Sequence, residues 1–375
     1  MDLLELRNKL DGIDSEIVRL YEERMEVCGK VADYKIQTGK KVFDKVREEE
    51  KIAKVKSLTH NAFNSQGIEE LFEQIMSMSR KLQYQKLAAS GSTGRLPFIG
   101  VDDLKVDCAR VVFQGAEGSY SQAAMHRYFG DKVNCFHVDT FREAMSAIDE
   151  GSADFAVLPI ENSTAGIVNE IYDLLVEFEN YIVGEQIIPI EHCLMGLKGA
   201  KFEDIKTIYS HPQSLMQSAH FLSEHSSIQQ ISMQNNAFAA KKVLEDNDKT
   251  QAAIASEYAA QVYGLEILKK GVNDSDTNST RFIIVTNQKI YAKDAKKISL
   301  CLELEHKSGS LYHILSHFIY NNLNMTKIES RPIEGRNWEY RFFIDFEGNL
   351  ADGGVKNALR GLRDEARTMK ILGNY

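Results

Sequence analysis

The chain has 375 residues, 43% hydrophobic and 26% charged, with a formal net charge of −9. This is the balance of a soluble globular protein of roughly two or three domains. Its acidity argues against wholesale nucleic-acid binding, so an anionic ligand must be met by local clusters of cations. The N-terminus, MDLLELRNKLDG, lacks the continuous apolar stretch of a signal peptide, and no run is long and apolar enough to span a bilayer. The five cysteines (Cys28, Cys108, Cys135, Cys193, Cys301) are scattered and form no CxxC, which disfavours a disulfide framework or a zinc site. The expectation is a reduced, cytoplasmic enzyme that uses no metal or other cofactor and meets neither membrane nor nucleic acid.

Everything before the first proline, Pro97, reads as helix. Leu3, Leu6, Leu10, Ile13, Ile17 and Leu20 recur at helical spacing, and the pattern continues through Val27, Val31 and Tyr34. A break is expected near Thr38-Gly39, a second helix from Asp44 to Leu58, and a third from Ile68 to Leu87. At 1.5 Å per residue the first helix would be roughly 50 Å long. Two shorter neighbours cannot cover so long an apolar stripe, so this segment is expected to pair with a second chain. At 100° per residue, Arg24 and Lys35 fall within about 20° of one another. Asp44, Arg47 and Glu48 sit at i, i+3 and i+4, and Ser79 and Gln83 at i, i+4. Arg7 lies roughly 25 Å along the axis from Arg24 and about 100° around it, so one chain cannot bring both arginines to one small pocket.

In order and spacing these residues resemble the all-helical chorismate mutases, in which two intertwined chains of three helices share two active sites. The resemblance covers residues 1–90. It implies that Arg7 (from the partner chain), Arg24 and Arg47 neutralise the carboxylates of chorismate. Lys35 and Gln83 would donate to the breaking ether oxygen, Glu48 and the backbone near Asp44 would take the ring hydroxyl, and Ser79 would complete the pocket. The chemistry suits such a set. The rearrangement to prephenate needs no nucleophile, only a compact conformer and a stabilised ether oxygen, and arginine forks match carboxylates.

Residues 88–97, rich in Ala, Ser and Gly, read as a linker. Beyond it, short apolar runs alternate with helical patterns. Strands are expected at 110–113, 134–137, 155–158, 207–209, 228–231 and 252–255, helices at 121–129, 141–150, 212–223 and 236–246, and a closing strand at 282–286. This is α/β organisation with mostly parallel sheets. Four turns stand out: Gly115 to Ser121, Pro159 to Gly166, Ser210-His211-Pro212-Gln213 and Asn278 to Phe282. Free N–H groups at helix starts receive anions. Thr280-Arg281-Phe282 and Glu161-Asn162-Ser163 resemble the prephenate dehydratases, two α/β lobes around a cleft similar to periplasmic binding proteins, here over residues 105–287. The resemblance implies Thr280 at the departing hydroxyl, Glu161 as the neighbouring acid, Arg281 on a carboxylate, and Asn162, Ser210 and Gln217 as polar lining.

After a charged connector at 293–297 the expected order is βαββαβ over 297–375, a ferredoxin-like α+β module. Gly309-Ser310-Leu311 opens its first helix and Glu329-Ser330-Arg331-Pro332 ends its second strand. These resemble the two signatures of the ACT domain found on such dehydratases, with Ser310 standing where that family often has alanine. The resemblance implies L-phenylalanine bound between paired modules and feedback inhibition. The whole is thus a multidomain, bifunctional chorismate mutase–prephenate dehydratase pattern, acting on chorismate and prephenate as a homodimer or higher homo-oligomer. Two alternatives stay open: a ligand-capture protein, against which stand the missing export signal and the dehydratase order of Glu161-Asn162 and Thr280-Arg281-Phe282, and an enzyme that keeps one activity only.

Overall fold

The computed structural model describes residues 2–90, 96–104 and 109–375; most of the linker, the expected domain boundary at 105 and Cys108 lie outside them. Two compact units result: Met1–Phe98 with Ala295–Ile371, and Ile99–Asp294 with Leu372–Tyr375.

The first unit opens with α1 (Leu3–Thr38), α2 (Lys45–Lys56) and α3 (Ala62–Ala89). A reciprocal capping box starts α1: Glu5 N–H donates to Asp2 Oδ1 at 2.9 Å and Asp2 N–H to Glu5 Oε2 at 3.1 Å. Gly39, left-handed at φ 68°, stops it. Asp44 caps α2 by accepting from Arg47 N–H at 3.1 Å. The third helix starts earlier than the expected Ile68, because Asn61 Oδ1 accepts from Asn64 N–H at 2.8 Å and Gly67 is absorbed within the helix. Only Gly29 and Ala32 of α1 are buried. The stripe from Leu3 through Ile17 to Tyr34 remains exposed, Leu10 at 57% and Ile17 at 54%.

In the second unit, β1 (Ile99–Val101), β2 (Arg110–Gln114), α4 (Tyr120–Phe129), β3 (Asn134–Val138), α5 (Phe141–Asp149), β4 (Phe155–Asn162), β5 (Gly166–Ile167), α6 (Asn169–Glu177) and β6 (Tyr181–Pro189) build a first lobe. A second holds β7 (Cys193–Gly196), β8 (Thr207–Ser210), α7 (Pro212–Gln217), α8 (Ala219–Glu224), β9 (Gln229–Ser232), α9 (Asn236–Asp246), β10 (Gln251–Ala255), α10 (Glu257–Tyr263) and β11 (Glu266–Lys269). The chain returns through β12 (Ser279–Thr286) to the first lobe, and β13 (Ile290–Ala292) pairs with β1. The first-lobe strands run in the order β6-β12-β4-β2-β3, the second-lobe strands β11-β7-β10-β8-β9.

Both sheets are mixed, which corrects the expectation of mostly parallel ones. β4-β2-β3 and β10-β8-β9 are parallel, whereas β6-β12-β4 and β11-β7-β10 are antiparallel. The antiparallel pairs involve the strands by which the chain passes between the lobes, β6 and β12 in the first and β7 and β11 in the second. The helix expected at 212–223 is two: Ser218, fully buried at φ −117° and ψ 24°, breaks it, and its N–H turns to Leu215 O. Each lobe has an apolar core, around Val111, Phe113, Met125, Val157 and Phe282 in one and Leu194, Met195, Ile208, Val243 and Ile254 in the other.

The C-terminal segment completes the first unit with β14 (Lys297–Glu303), α11 (Ser310–Tyr320), β15 (Met325–Pro332), β16 (Tyr340–Glu347), α12 (Gly353–Glu365) and β17 (Thr368–Asn374). The βαββαβ order is as expected, and the strand order β15-β16-β14-β17 is that of a ferredoxin-like sheet. Leu300, Phe318, Phe346, Val355 and Leu362 are buried at its centre. Among the described residues no helix is long and apolar enough to cross a membrane.

Candidate active sites

On the helices, Arg24 of α1 donates to Ser79 Oγ of α3 at 2.6 Å and lies 3.7 Å from Cys28 Sγ. Three turns further along the same face, Lys35 Nζ donates to Val42 O at 2.7 Å. Burial lowers the Lys35 pKa, and Asp44, Glu48 and Cys28 pull it partly back. The ammonium thus faces the start of α2, where Asp44 is the cap and Glu48 follows one turn on. Gln83, one turn beyond Ser79, is buried, and its Oε1 has no hydrogen-bond partner among the described residues. Arg24, Lys35, Glu48, Ser79 and Gln83 are therefore gathered at the junction of the three helices.

Two expected members stand apart. Arg7 lies on the exposed N-terminal half of α1. Arg47 is mostly exposed with Glu50 at 3.4 Å, since one residue's step around α2 turns it away from Glu48. One residue was missed. Arg80, buried on α3, ion-pairs with Glu48 and with Glu365 of α12, the latter at 2.8 Å. Glu365 also lies 3.2 Å from His317 Nε2. Burial alone would raise the Glu365 carboxyl, but His317 and Arg80 outweigh it and hold the pKa below the ordinary value. The one sequence signal for Arg80 was a cation placed a turn before Gln83.

The cleft of the α/β unit encloses about 250 Å³. One wall is the turn from Gly115 to Ser121 with Pro159, Thr280 and Phe282; the other is His211, Asn235, Asn236 and Ser256. Four helices begin on it, and their caps are Ser119, His211, Asn235 and Ser256. Asn235 Oδ1 accepts from Phe238 N–H at 2.8 Å and Ser256 Oγ from Ala259 N–H at 3.1 Å. Gly118, at φ 82°, lies so close to the second lobe that a Cβ there would meet Ala259 Cα at 3.1 Å. Asn235 and Asn236 were missed, although a paired Asn between strand and helix repeats the grammar of the four turns singled out.

Asn162 and Thr280 are opposite one another in register on β4 and β12. Asn162 Oδ1 accepts from the N–H groups of Thr164 at 3.1 Å and Ala165 at 2.9 Å, and Asn162 Nδ2 donates to Thr280 Oγ1 at 2.9 Å. Glu161 and Arg281 form the next register pair, so strand alternation turns both to the other face. There Arg281 meets Glu185 at 2.8 Å, Glu161 at 3.6 Å and Tyr375 Oη at 2.7 Å. Neither residue is among those lining the cleft. Ser210 is fully buried and acts one step back: its Oγ donates to Ile254 O at 2.7 Å and touches Asn236 Oδ1 at 3.0 Å. Gln217 likewise sits behind the wall, between Thr164 and His192.

In the C-terminal module, Gly309, left-handed at φ 80°, precedes α11, which opens with Ser310 and Leu311. Glu329, Ser330, Arg331 and Pro332 end β15. Register links Glu303 of β14 to Arg341 of β16 and Arg341 to Arg331 of β15. Both signatures therefore lie at one end of the sheet, separated by β16. Glu303 pairs there with Arg341 at 2.7 Å.

Family models match both segments of the chain. The model described as "Chorismate mutase type II" matches residues 6–84, and "Prephenate dehydratase" matches residues 111–290. A curated bifunctional chorismate mutase/prephenate dehydratase of Enterobacter agglomerans is 32% identical over 381 residues, covering 100% of this chain and 95% of its own. The chain belongs to the bifunctional chorismate mutase/prephenate dehydratases. Among solved structures, the Arthrobacter aurescens prephenate dehydratase in complex with L-Phe has a TM-score of 0.66 at 30% identity, over 71% of this chain and 89% of that one. GqqA, described as a quorum quenching acylase, has a TM-score of 0.64 at 32% identity, over 71% of this chain and 97% of that one.

The enzyme is accordingly an isomerase and a lyase in phenylalanine biosynthesis. The helical cluster brings together the cations Arg24 and Lys35 with the hydroxyl of Ser79 and the thiol of Cys28. The cleft brings together helix starts and the hydroxyls of Ser119, Tyr120, Ser256 and Thr280.

Proposed function

We propose that chorismate binds at the Arg24–Lys35–Glu48–Gln83 cluster of a helical dimer, and that prephenate binds between the two α/β lobes. The lobes would surround it in the manner of periplasmic binding proteins. The C-terminal module is an ACT domain that binds L-phenylalanine and inhibits dehydration. The single observation that carries the dehydratase reading is the Asn162-to-Thr280 hydrogen bond at the wall of a cleft built from helix starts.

In the mutase pocket, Arg24 takes one carboxylate and Arg7 of a second copy the other. The exposed apolar stripe of α1 supports that second copy. Lys35 and Gln83 donate to the ether oxygen, where charge develops. Glu48 takes the ring hydroxyl beside the Asp44 backbone, with Ser79 aligning Arg24; Arg47 joins by leaving Glu50. In the cleft, helix N–H groups hold the carboxylates. Thr280 donates to the departing hydroxyl, because its oxygen already accepts from Asn162. Ser210 and Gln217 fix the groups in front of them, and Glu161 and Arg281 brace β4, β12 and β6 from behind.

For regulation, the support is the position of Gly309-Ser310-Leu311 and Glu329 to Pro332 at one sheet end, together with the L-Phe in the Arthrobacter complex. Two ACT modules side by side would enclose the amino acid.

The test is to follow chorismate to phenylpyruvate with one site removed at a time. Arg24→Ala abolishes the mutase step and leaves prephenate dehydration running; Thr280→Ala does the reverse, and prephenate accumulates. Loss of both activities in either folded variant overturns the assignment of separate sites.

A further inference from the structure

We propose that His192 is a positioning residue for dehydration: as its Nε2–H tautomer it anchors a chain of hydrogen bonds that aims the Thr280 proton into the cleft. This rests on the reading of Thr280 given above. His192 is 1% exposed and lies in the short crossing between β6 and β7. Its backbone is tied to the return crossing, with its N–H on Asn273 Oδ1 at 3.0 Å and its carbonyl accepting from Val272 N–H at 2.9 Å. Its ring lies 3.2 Å from Tyr120 Oη through Nδ1 and 3.1 Å from Gln217 Oε1 through Nε2.

The direction of every bond follows from one end. Two backbone N–H groups, of Thr164 and Ala165, point at the same atom of Asn162, which must be its oxygen. Its amide nitrogen therefore faces Thr280 Oγ1 at 2.9 Å, together with Asn278 Oδ1 at 2.8 Å and Ser279 O at 3.1 Å. The Thr164 hydroxyl donates to the same Asn162 oxygen at 2.8 Å, so it accepts from Gln217 Nε2 at 2.8 Å. Gln217 then turns its oxygen to His192, whose Nε2 must carry a proton. Burial lowers the imidazole pKa, with Gln217 opposing, so Nδ1 stays bare and takes the Tyr120 hydroxyl, shared with Glu191 O at 2.9 Å. Tyr120 and Thr280, the two ends, both line the cleft.

The consequence is mechanical. With a lone pair of Thr280 already occupied by Asn162, the hydroxyl proton of Thr280 is directed to the substrate side. If Gln217 rotates, Thr164 loses the donor that holds its hydroxyl on Asn162 Oδ1 and can turn toward Asn278 Oδ1, 3.4 Å away, which loosens one of the contacts that orient Asn162. His192 is thus remote from the substrate yet linked to the one side chain proposed to touch its hydroxyl.

The experiment combines His192→Phe and Thr164→Val, singly, with Thr280→Ala in the full-length enzyme, reading dehydratase kcat and KM with mutase activity as the folding control. Each single change is expected to lower dehydratase kcat about tenfold, with KM moving less than about threefold. Neither is expected to cost anything further once Thr280 is alanine. His192→Gln, which offers an amide N–H to Gln217, is expected to recover most of the kcat. Losses that multiply with Thr280→Ala overturn the relay while leaving Thr280 in its role. A normal kcat in Thr280→Ala overturns both. If His192→Phe does not fold, Thr164→Val on its exposed turn decides: full kcat there refutes the relay.

Discussion

Arg80 offers a perturbation whose size can be worked out in advance. Its guanidinium is buried between Glu48 and Glu365, with side-chain exposures of 8%, 24% and 14%. Replacing one partner of a buried ion pair costs about 3–5 kcal/mol, mostly because the other charge is stranded. Here Glu48 reaches water with about a quarter of its side chain and Glu365 keeps His317 at 3.2 Å. The expected cost of Arg80→Leu is therefore at or below the lower end, about 2–3 kcal/mol. Chemical denaturation followed by helical circular dichroism, at fixed protein concentration because a dimer would shift the midpoint, measures it. Adding Glu365→Leu removes one stranded carboxylate and is expected to restore more than half of the loss. Mutase kcat/KM falls as well, because Glu48 loses the group that orients it. A cost under about 0.5 kcal/mol, or strict additivity of the two changes, would refute the idea that these charges act as one unit.

Thr280→Ser keeps the hydroxyl and is expected to retain dehydratase kcat within about tenfold, while Thr280→Ala loses about two orders of magnitude or more, read as prephenate accumulation. Inactive Arg7→Ala and Arg24→Ala chains, mixed under verified subunit exchange, are expected to recover mutase activity through one intact pocket; no recovery argues against an arginine supplied in trans. Calorimetry on the full chain is expected to show L-phenylalanine binding, with tyrosine weaker because its hydroxyl would be buried; absence of binding leaves the C-terminal module as a pairing device. Glu365 has a folded pKa below its unfolded one, so the unfolded chain binds its proton first. Its stabilising contribution is full above the ordinary glutamate range and is lost as pH falls through the folded value. Glu365→Gln is expected to flatten the acid limb of the stability curve.

What could be read from the sequence follows the range of the forces involved. The long helix and its end at Gly39 are local events, set by periodicity and one left-handed residue, and both are found in place. The same is true of α9, whose expected and observed bounds coincide. β6 and β7 escaped notice because what makes them strands is a partner far along the chain: β6 pairs with β12, and β7 with β10 and β11. Arg281 shows a subtler failure. With the closing strand expected from Phe282, Thr280 and Arg281 read as neighbours in one turn and were given one substrate. The strand begins at Ser279, and its alternation sends them to opposite faces. His192 carried no local signal, because its partners Tyr120, Gln217 and Asn273 are distant in the chain.

The contrast between the two sites follows from their reactions. The mutase step rearranges a dianion whose carboxylates survive, so a fixed cation such as the proposed Arg24 can bind one without opposing the chemistry. Dehydration expels one carboxylate as carbon dioxide, and an arginine locked on that group would stabilise the substrate more than the transition state. Among the described residues lining the cleft there is no lysine or arginine, and strand alternation places Arg281 on the face opposite Thr280. What lines it instead includes the starts of α4 and α9, each worth about half a positive charge spread over several N–H groups. Such dipoles hold an anion in place without forming the bidentate clamp that a leaving carboxylate would have to break. Introducing a cation at the wall, for example Asn235→Arg, is thus expected to lower KM for prephenate and kcat together; a raised kcat would contradict this account of why the cleft is neutral.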